Sequence, residues 1–213
     1  MRISHRYRFV FFASPKTGSA SVRAFLNPYS DIFDRSFVQT DAANPFYSHM
    51  RPIEAKAAFL NRGWQFENYY RFVFVRNPWA RAYSLYKMIC NLDKGFNRSF
   101  EAWLRSSKPS GHGGGGPDTA RWRKYGTYSI EKFAGDGQGG LLVDEIFRLE
   151  DIATLPKRLR EKGIPIPVDA TMPWTNRTPA IVNLRQHYTP ELIELVAKRY
   201  ANEISQFHYE FPG

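Results

Sequence analysis

Short apolar runs alternate along this chain with stretches whose apolar residues recur at helical spacing. Tyr7 to Phe12 and Phe72 to Val75 are aromatic and β-branched, so each suits a buried strand. Leu141 to Phe147 predicts a third strand. Behind the first run, Val22, Phe25 and Leu26 share one side of a helix that ends near Leu26. Pro52 opens a helix carrying Ile53, Lys56, Ala57 and Leu60. Pro78 opens another, to about Asn91, and Phe100 to Leu104 a shorter one. Residues 151–162 predict a further helix, and Thr189 with Pro190 caps an amphipathic helix through Ile204. Residues 27–48 and 163–188 read as largely irregular. Residues 106–119, with Gly113 to Gly116 between Pro109 and Pro117, predict a flexible loop, because no strand precedes them. Strands alternating with helices predict the α/β class: one domain over residues 1–213, its central sheet mainly parallel and flanked by helices.

Two of the predicted strand-to-helix junctions carry chemistry. After Val75 come Arg76, Asn77 and Pro78, with Arg81 and Ser84 in the helix beyond. Asn77 is a good N-cap, and proline fits the first helical position, where a missing N–H costs nothing. Arg76 then falls at the carboxyl edge of a strand, where open α/β sheets bind ligands. A guanidinium fork, a helix start and a hydroxyl can together hold a phosphate or a sulfate. An ordinary turn with a solvated arginine fits the same residues. The other junction follows Phe12 and reads Ala13-Ser14-Pro15-Lys16-Thr17-Gly18-Ser19-Ala20-Ser21. Gly18 allows a turn other residues resist, Thr17, Ser19 and Ser21 offer hydroxyls, and the helix start offers free N–H groups. Composition suits a phosphate cradle. The GxxxxGK[ST] pattern is absent, and here the lysine precedes the glycine.

Together these residues resemble a known family. Pro15 to Ser21 resembles the loop that binds the 5′-phosphosulfate in PAPS-dependent sulfotransferases. Arg76-Asn77-Pro78 through Arg81 and Ser84 to Tyr86 resembles their 3′-phosphate motif, RNPxxRxxSxY. The carbohydrate-type branch, with the heparan sulfate 2-O-sulfotransferases and bacterial relatives, is the most similar. More weakly, Val143 to Asp151 resembles a later strand of that family, and Tyr188 to Tyr209 its C-terminal helix. Two positions depart from the pattern. Ala80 stands where many relatives carry an acidic residue, and His208 where a small residue, often glycine, is usual.

The resemblance implies a P-loop-NTPase-like sulfotransferase architecture and in-line transfer of a sulfuryl group from PAPS to a hydroxyl or amine, leaving PAP. It implies that Pro15, Lys16, Thr17, Gly18, Ser19, Ala20 and Ser21 hold the 5′ end and that Arg76 and Ser84 hold the 3′-phosphate. Arg177 and Thr178 fall in the loop that closes over the nucleotide in relatives, and Arg148 and Glu150 resemble a pair near the cleft, which also reads as a structural ion pair. Arg81 reads as a supporting residue. Lys16 is placed to offset charge on the departing phosphate. Of the five histidines, which suit proton transfer near neutral pH, the resemblance points to His49 as the base: it lies between the two motifs, just before the helix at Pro52, where relatives carry their catalytic histidine ahead of an acidic residue and a lysine, here Glu54 and Lys56. His112 reads as solvated, and His5, His187 and His208 as structural. No metal is needed in this scheme.

Charge changes the picture of partners. Lysine and arginine exceed acidic residues enough for a net charge of +10, which favours acidic partners. Aromatic and basic residues in the loops suit a saccharide or glycolipid acceptor, and equally a small alcohol; nucleic acid is not expected, and the oligomeric state is open. The single cysteine, Cys90, excludes a disulfide framework within the chain. The first apolar run is only strand-length, so neither signal peptide nor membrane span is read and a soluble, cytoplasmic protein is expected. Two other classes remain at this point: a P-loop nucleotide or small-molecule kinase, and a non-catalytic polyanion-binding module.

Overall fold

The computed structural model describes residues 1–111, 120–173 and 184–212. His112, Gly113 to Gly116, Arg177 and Thr178 therefore lie outside the described residues. Among the described residues, five strands form one sheet in the order β3-β1-β2-β4-β5: β1 is Arg2–Ser4, β2 Phe9–Phe12, β3 Ile32–Phe33, β4 Tyr70–Val75 and β5 Glu145–Arg148. β2, β4 and β5 pair in parallel, with Phe11 opposite Phe72 and Phe74 opposite Phe147. β1 runs antiparallel to both β2 and β3, so four strands point one way and only β1 opposes them.

The central runs are apolar throughout because helices cover both faces of the sheet. Alternation divides them. Phe9 and Phe11 of β2 and Phe72 and Phe74 of β4 face one core, with Val22, Phe25 and Leu26 of α1 (Ser19–Leu26) and Leu155 and Leu159 of α7 (Leu155–Glu161). Val10, Phe12, Val73 and Val75 face the other. That second core is closed by α2 (Pro52–Leu60), α3 (Pro78–Leu92), α4 (Phe100–Ser106), α5 (Arg121–Tyr125), α6 (Ile130–Ala134) and α8 (Pro190–Arg199). The last helix described is α9 (Ala201–Phe207).

Several sequence expectations need correction. The strand expected from Leu141 begins only at Glu145: Leu141 makes an isolated bridge with Gly135, and the Leu142 N–H bonds the Ala134 carbonyl. The helix expected over 151–162 opens as 3-10 turns and is α-helical only from Leu155. The C-terminal helix is two, because Tyr200 leaves helical geometry at φ −119° and ψ 29°. There its ring packs on Arg81 at 4.9 Å and its hydroxyl donates to the Thr127 carbonyl at 2.7 Å. The two expected caps do form: the Asn77 side chain accepts the Ala80 N–H, and Thr189 accepts that of Leu192.

Candidate active site

The carboxyl ends of β2, β4 and β5 bring three segments to one edge of the sheet: Ala13 to Gly18, Arg76 to Asn77, and Leu149 to Glu150. This is the edge at which an open parallel sheet meets ligands.

The first segment bends through two left-handed residues, Lys16 at φ 66° and Gly18 at φ 74°. Gly18 is the N-cap of α1 and offers no side chain to it, so the first N–H groups of α1 have no side-chain cap. A Cβ at Gly18 would approach Leu149 Cδ1 to 2.4 Å. The Thr17 hydroxyl donates to the Ser14 carbonyl at 2.8 Å, which tightens the loop from within. Pro15, Thr17, Ser19 and Ser21 are buried, while Lys16, Gly18 and Ala20 are half-buried.

Lys16 and Arg76 meet. Arg76 Nη1 donates to the Lys16 carbonyl at 3.3 Å. Burial, and then the neighbouring Arg76, hold the Lys16 ammonium below its ordinary value. Burial does the same to Arg76, partly offset by Glu150, although a guanidinium stays charged in any case. Two partly desolvated cations side by side form a site that an anion would stabilise. Lys16 Nζ rests on the thioether of Met88 at 3.3 Å, a contact from α3 that the sequence did not announce. Ser84 is buried one helical turn before Met88, so it shares the face of α3 that meets Lys16.

Glu150 does not pair with Arg148. Its Oε1 accepts the Asn77 main-chain N–H at 2.9 Å and its Oε2 the Tyr209 hydroxyl at 3.1 Å, which pins the Arg76 turn. Arg148 turns instead to Asp151 at 3.4 Å and lies over the Tyr209 ring. Arg81 points away from the cradle. It is 3% exposed and pairs at 3.2 Å with Glu203, itself fully buried. The acid missing at Ala80 is thus supplied by α9. Its signal in the sequence is an acidic residue inside the apolar stripe Tyr200, Ile204, Phe207.

His49 is brought to the cradle by its own backbone. At φ 65° it is left-handed, and its Nδ1 lies 2.6 Å from the Ala13 carbonyl oxygen. A carbonyl only accepts, so Nδ1 carries the proton and Nε2 keeps a lone pair. Burial, with smaller pushes from the Met1 amino group and then Arg23, outweighs the bond to Ala13 and lowers its pKa to about 3, so the ring is neutral near pH 7. Glu54, after it, closes the N-terminus of α2 by accepting the Arg51 N–H, and Lys56 pairs with Glu67. Outside this cluster, His5 bonds Tyr69 and His187 stacks on Tyr83.

The sequence matches the model described as "Sulfotransferase family" over residues 1–118. The chain belongs to the sulfotransferase family. Among solved structures, this sulfotransferase is similar to the crystal structure of a sulfotransferase from Alicyclobacillus acidocaldarius: 16% identity, 96% of each chain covered and a TM-score of 0.53. At that identity the likeness speaks for the fold alone. No curated protein matches the chain. No helix among the described residues is long and apolar enough to cross a membrane.

Proposed function

We propose that this sulfotransferase moves a sulfuryl group from PAPS to a hydroxyl or amine of a saccharide-bearing acceptor. The observation that carries the reading is the joining of Lys16, Arg76 and a left-handed, uncapped helix start on one sheet edge, beside a histidine whose bond to Ala13 leaves Nε2 a lone pair. These residues fit the donor's charges. PAPS supplies an activated sulfuryl group when bound. Thr17, Gly18, Ser19, Ala20 and Ser21, behind Pro15, cradle its 5′ end with main-chain N–H groups and hydroxyls. Arg76 and Ser84 hold the 3′-phosphate by charge-assisted bonding. His49 takes the acceptor proton at Nε2. Lys16 leaves Met88 and sets its ammonium against the charge that accumulates on the leaving phosphate. Arg177 and Thr178 complete the nucleotide side in this reading.

A saccharide acceptor is supported by the net charge of +10, which favours anionic glycans. A thermal-shift comparison tests the donor class. PAP without metal should raise the melting temperature in a concentration-dependent way. Stabilisation by ATP with Mg²⁺ and none by PAP would point to a kinase and reject the reading. Labelled PAPS screened against saccharides, glycolipids and phenols then identifies the acceptor.

A further inference from the structure

The histidine segment is tied to the donor cradle from behind. Asp34, just past β3, has a side chain only 5% exposed. Its Oδ2 accepts Arg23 Nη1 at 2.9 Å and also the Ser48 hydroxyl, while the same Nη1 donates to Ser48 Oγ at 3.2 Å. Arg2 and the amino group of Met1 complete the shell around the carboxylate. Arg23 belongs to α1, the helix whose start forms the cradle, and Ser48 immediately precedes His49. A closed triangle of side chains thus links α1, the end of β3 and the candidate base.

Its purpose follows from backbone strain. A left-handed histidine persists only where its surroundings over-determine it. Three clamps do so. The Ser48 N–H bonds the Arg35 carbonyl at 2.9 Å, the Ser48 hydroxyl bonds Asp34, and His49 Nδ1 bonds Ala13. Without the middle clamp only the Arg35 and Ala13 bonds oppose relaxation of His49 toward an ordinary conformation, a rotation that would take Nδ1 off the carbonyl.

We propose that Asp34, acting through Ser48, is a positioning residue that keeps His49 on the Ala13 carbonyl and in register with the donor cradle. This rests on the reading of His49 as the base.

Ser48→Ala tests it, because it cuts the link and leaves the Arg23–Asp34 ion pair in place. The ¹⁵N signals of the His49 ring, assigned by their loss in His49→Asn, should move from the Nδ1–H pattern toward a mixture of tautomers. The kcat should fall about 10- to 100-fold, the scale of a small misplacement of a reacting group. KM for PAPS and the thermal shift with PAP should stay as they are. Ser48→Thr, which keeps the hydroxyl, should restore both kcat and the ring signals. Unchanged ring signals and kcat in Ser48→Ala overturn the proposal. Parallel losses of melting temperature, PAP binding and kcat also overturn it, since they mark a contact that only supports the fold. Activity that survives His49→Asn rejects the base itself, while the ring signals of Ser48→Ala still report whether Ser48 orients the ring.

Discussion

Two strand-to-helix junctions lie side by side in this sulfotransferase and are built in opposite ways. The turn from β4 into α3 obeys local rules: Asn77 caps the helix, Pro78 occupies its first position, and no residue of the turn has positive φ. The turn from β2 into α1 breaks them, with left-handed Lys16 and Gly18 and no side-chain cap. The first turn holds a guanidinium on a rigid base. The second gives up local stability so that N–H groups and an ammonium remain available. Among the described residues, four non-glycine residues have positive φ: Arg8, Lys16, His49 and His208. Two of these four are the residues assigned to the chemistry. Strain concentrated at such positions is a recurring property of functional sites.

The contrast can be broken most sharply at its strained members. His49→Asn keeps a residue that tolerates the left-handed region and removes the base, so kcat should fall by about 10²- to 10⁴-fold in a PAPS turnover assay. The same variant alters stability against pH. The His49 pKa is lowered from 6.5 to about 3, so the unfolded chain takes up its proton first as pH drops. The wild type therefore loses the His49 contribution progressively as pH falls from about 6.5 toward 3, and it is whole above that window. Thermal melts at pH 7 and 5 should show a smaller drop for His49→Asn than for the wild type.

A step down in size, Gly18→Ala should cost about 1–2 kcal/mol by forcing a Cβ into the left-handed region, and should weaken PAP as the cradle shifts. Asn77→Ala, in the regular turn, should cost about 1 kcal/mol through the lost cap. Denaturant unfolding with and without PAP checks both. If Asn77→Ala perturbs PAP binding more than Gly18→Ala, the division of labour between the two turns is wrong.

The smallest effect tests strain away from the site. His208 is the left-handed C-cap of α9, which explains in physical terms why glycine suits the position. His208→Gly should gain up to about 1 kcal/mol of stability with unchanged turnover, since the residue's part is to end α9. Calorimetry and a turnover assay decide it.

Much of this was legible in the sequence, for local reasons. α2 and α3 carry apolar runs and opening prolines that agree with their tertiary setting, so their starts match the sequence expectation, while β4 begins two residues before the expected Phe72, at Tyr70. β1 and β3 have three and two residues, too few for alternation to register. The break at Tyr200 answers to Arg81 and Thr127, distant in the chain, so a helical period runs straight through it. The candidate site divides the same way. Gly18, Lys16, Arg76 and His49 stand out by residue type and order. The contacts from Met88, Glu150, Glu203 and Asp34 are tertiary, and only the buried charge of Glu203 left a trace in the local pattern.

In the proposed function one nucleotide is divided between the two turns, with its 3′-phosphate on Arg76. Affinities of the wild type and Arg76→Ala for PAP and for AMP, which lacks that phosphate, test it most directly. Arg76→Ala should lose about 10- to 100-fold in affinity for PAP, the scale of one charge-assisted bond, with little change for AMP. Equal losses for the two ligands would contradict it.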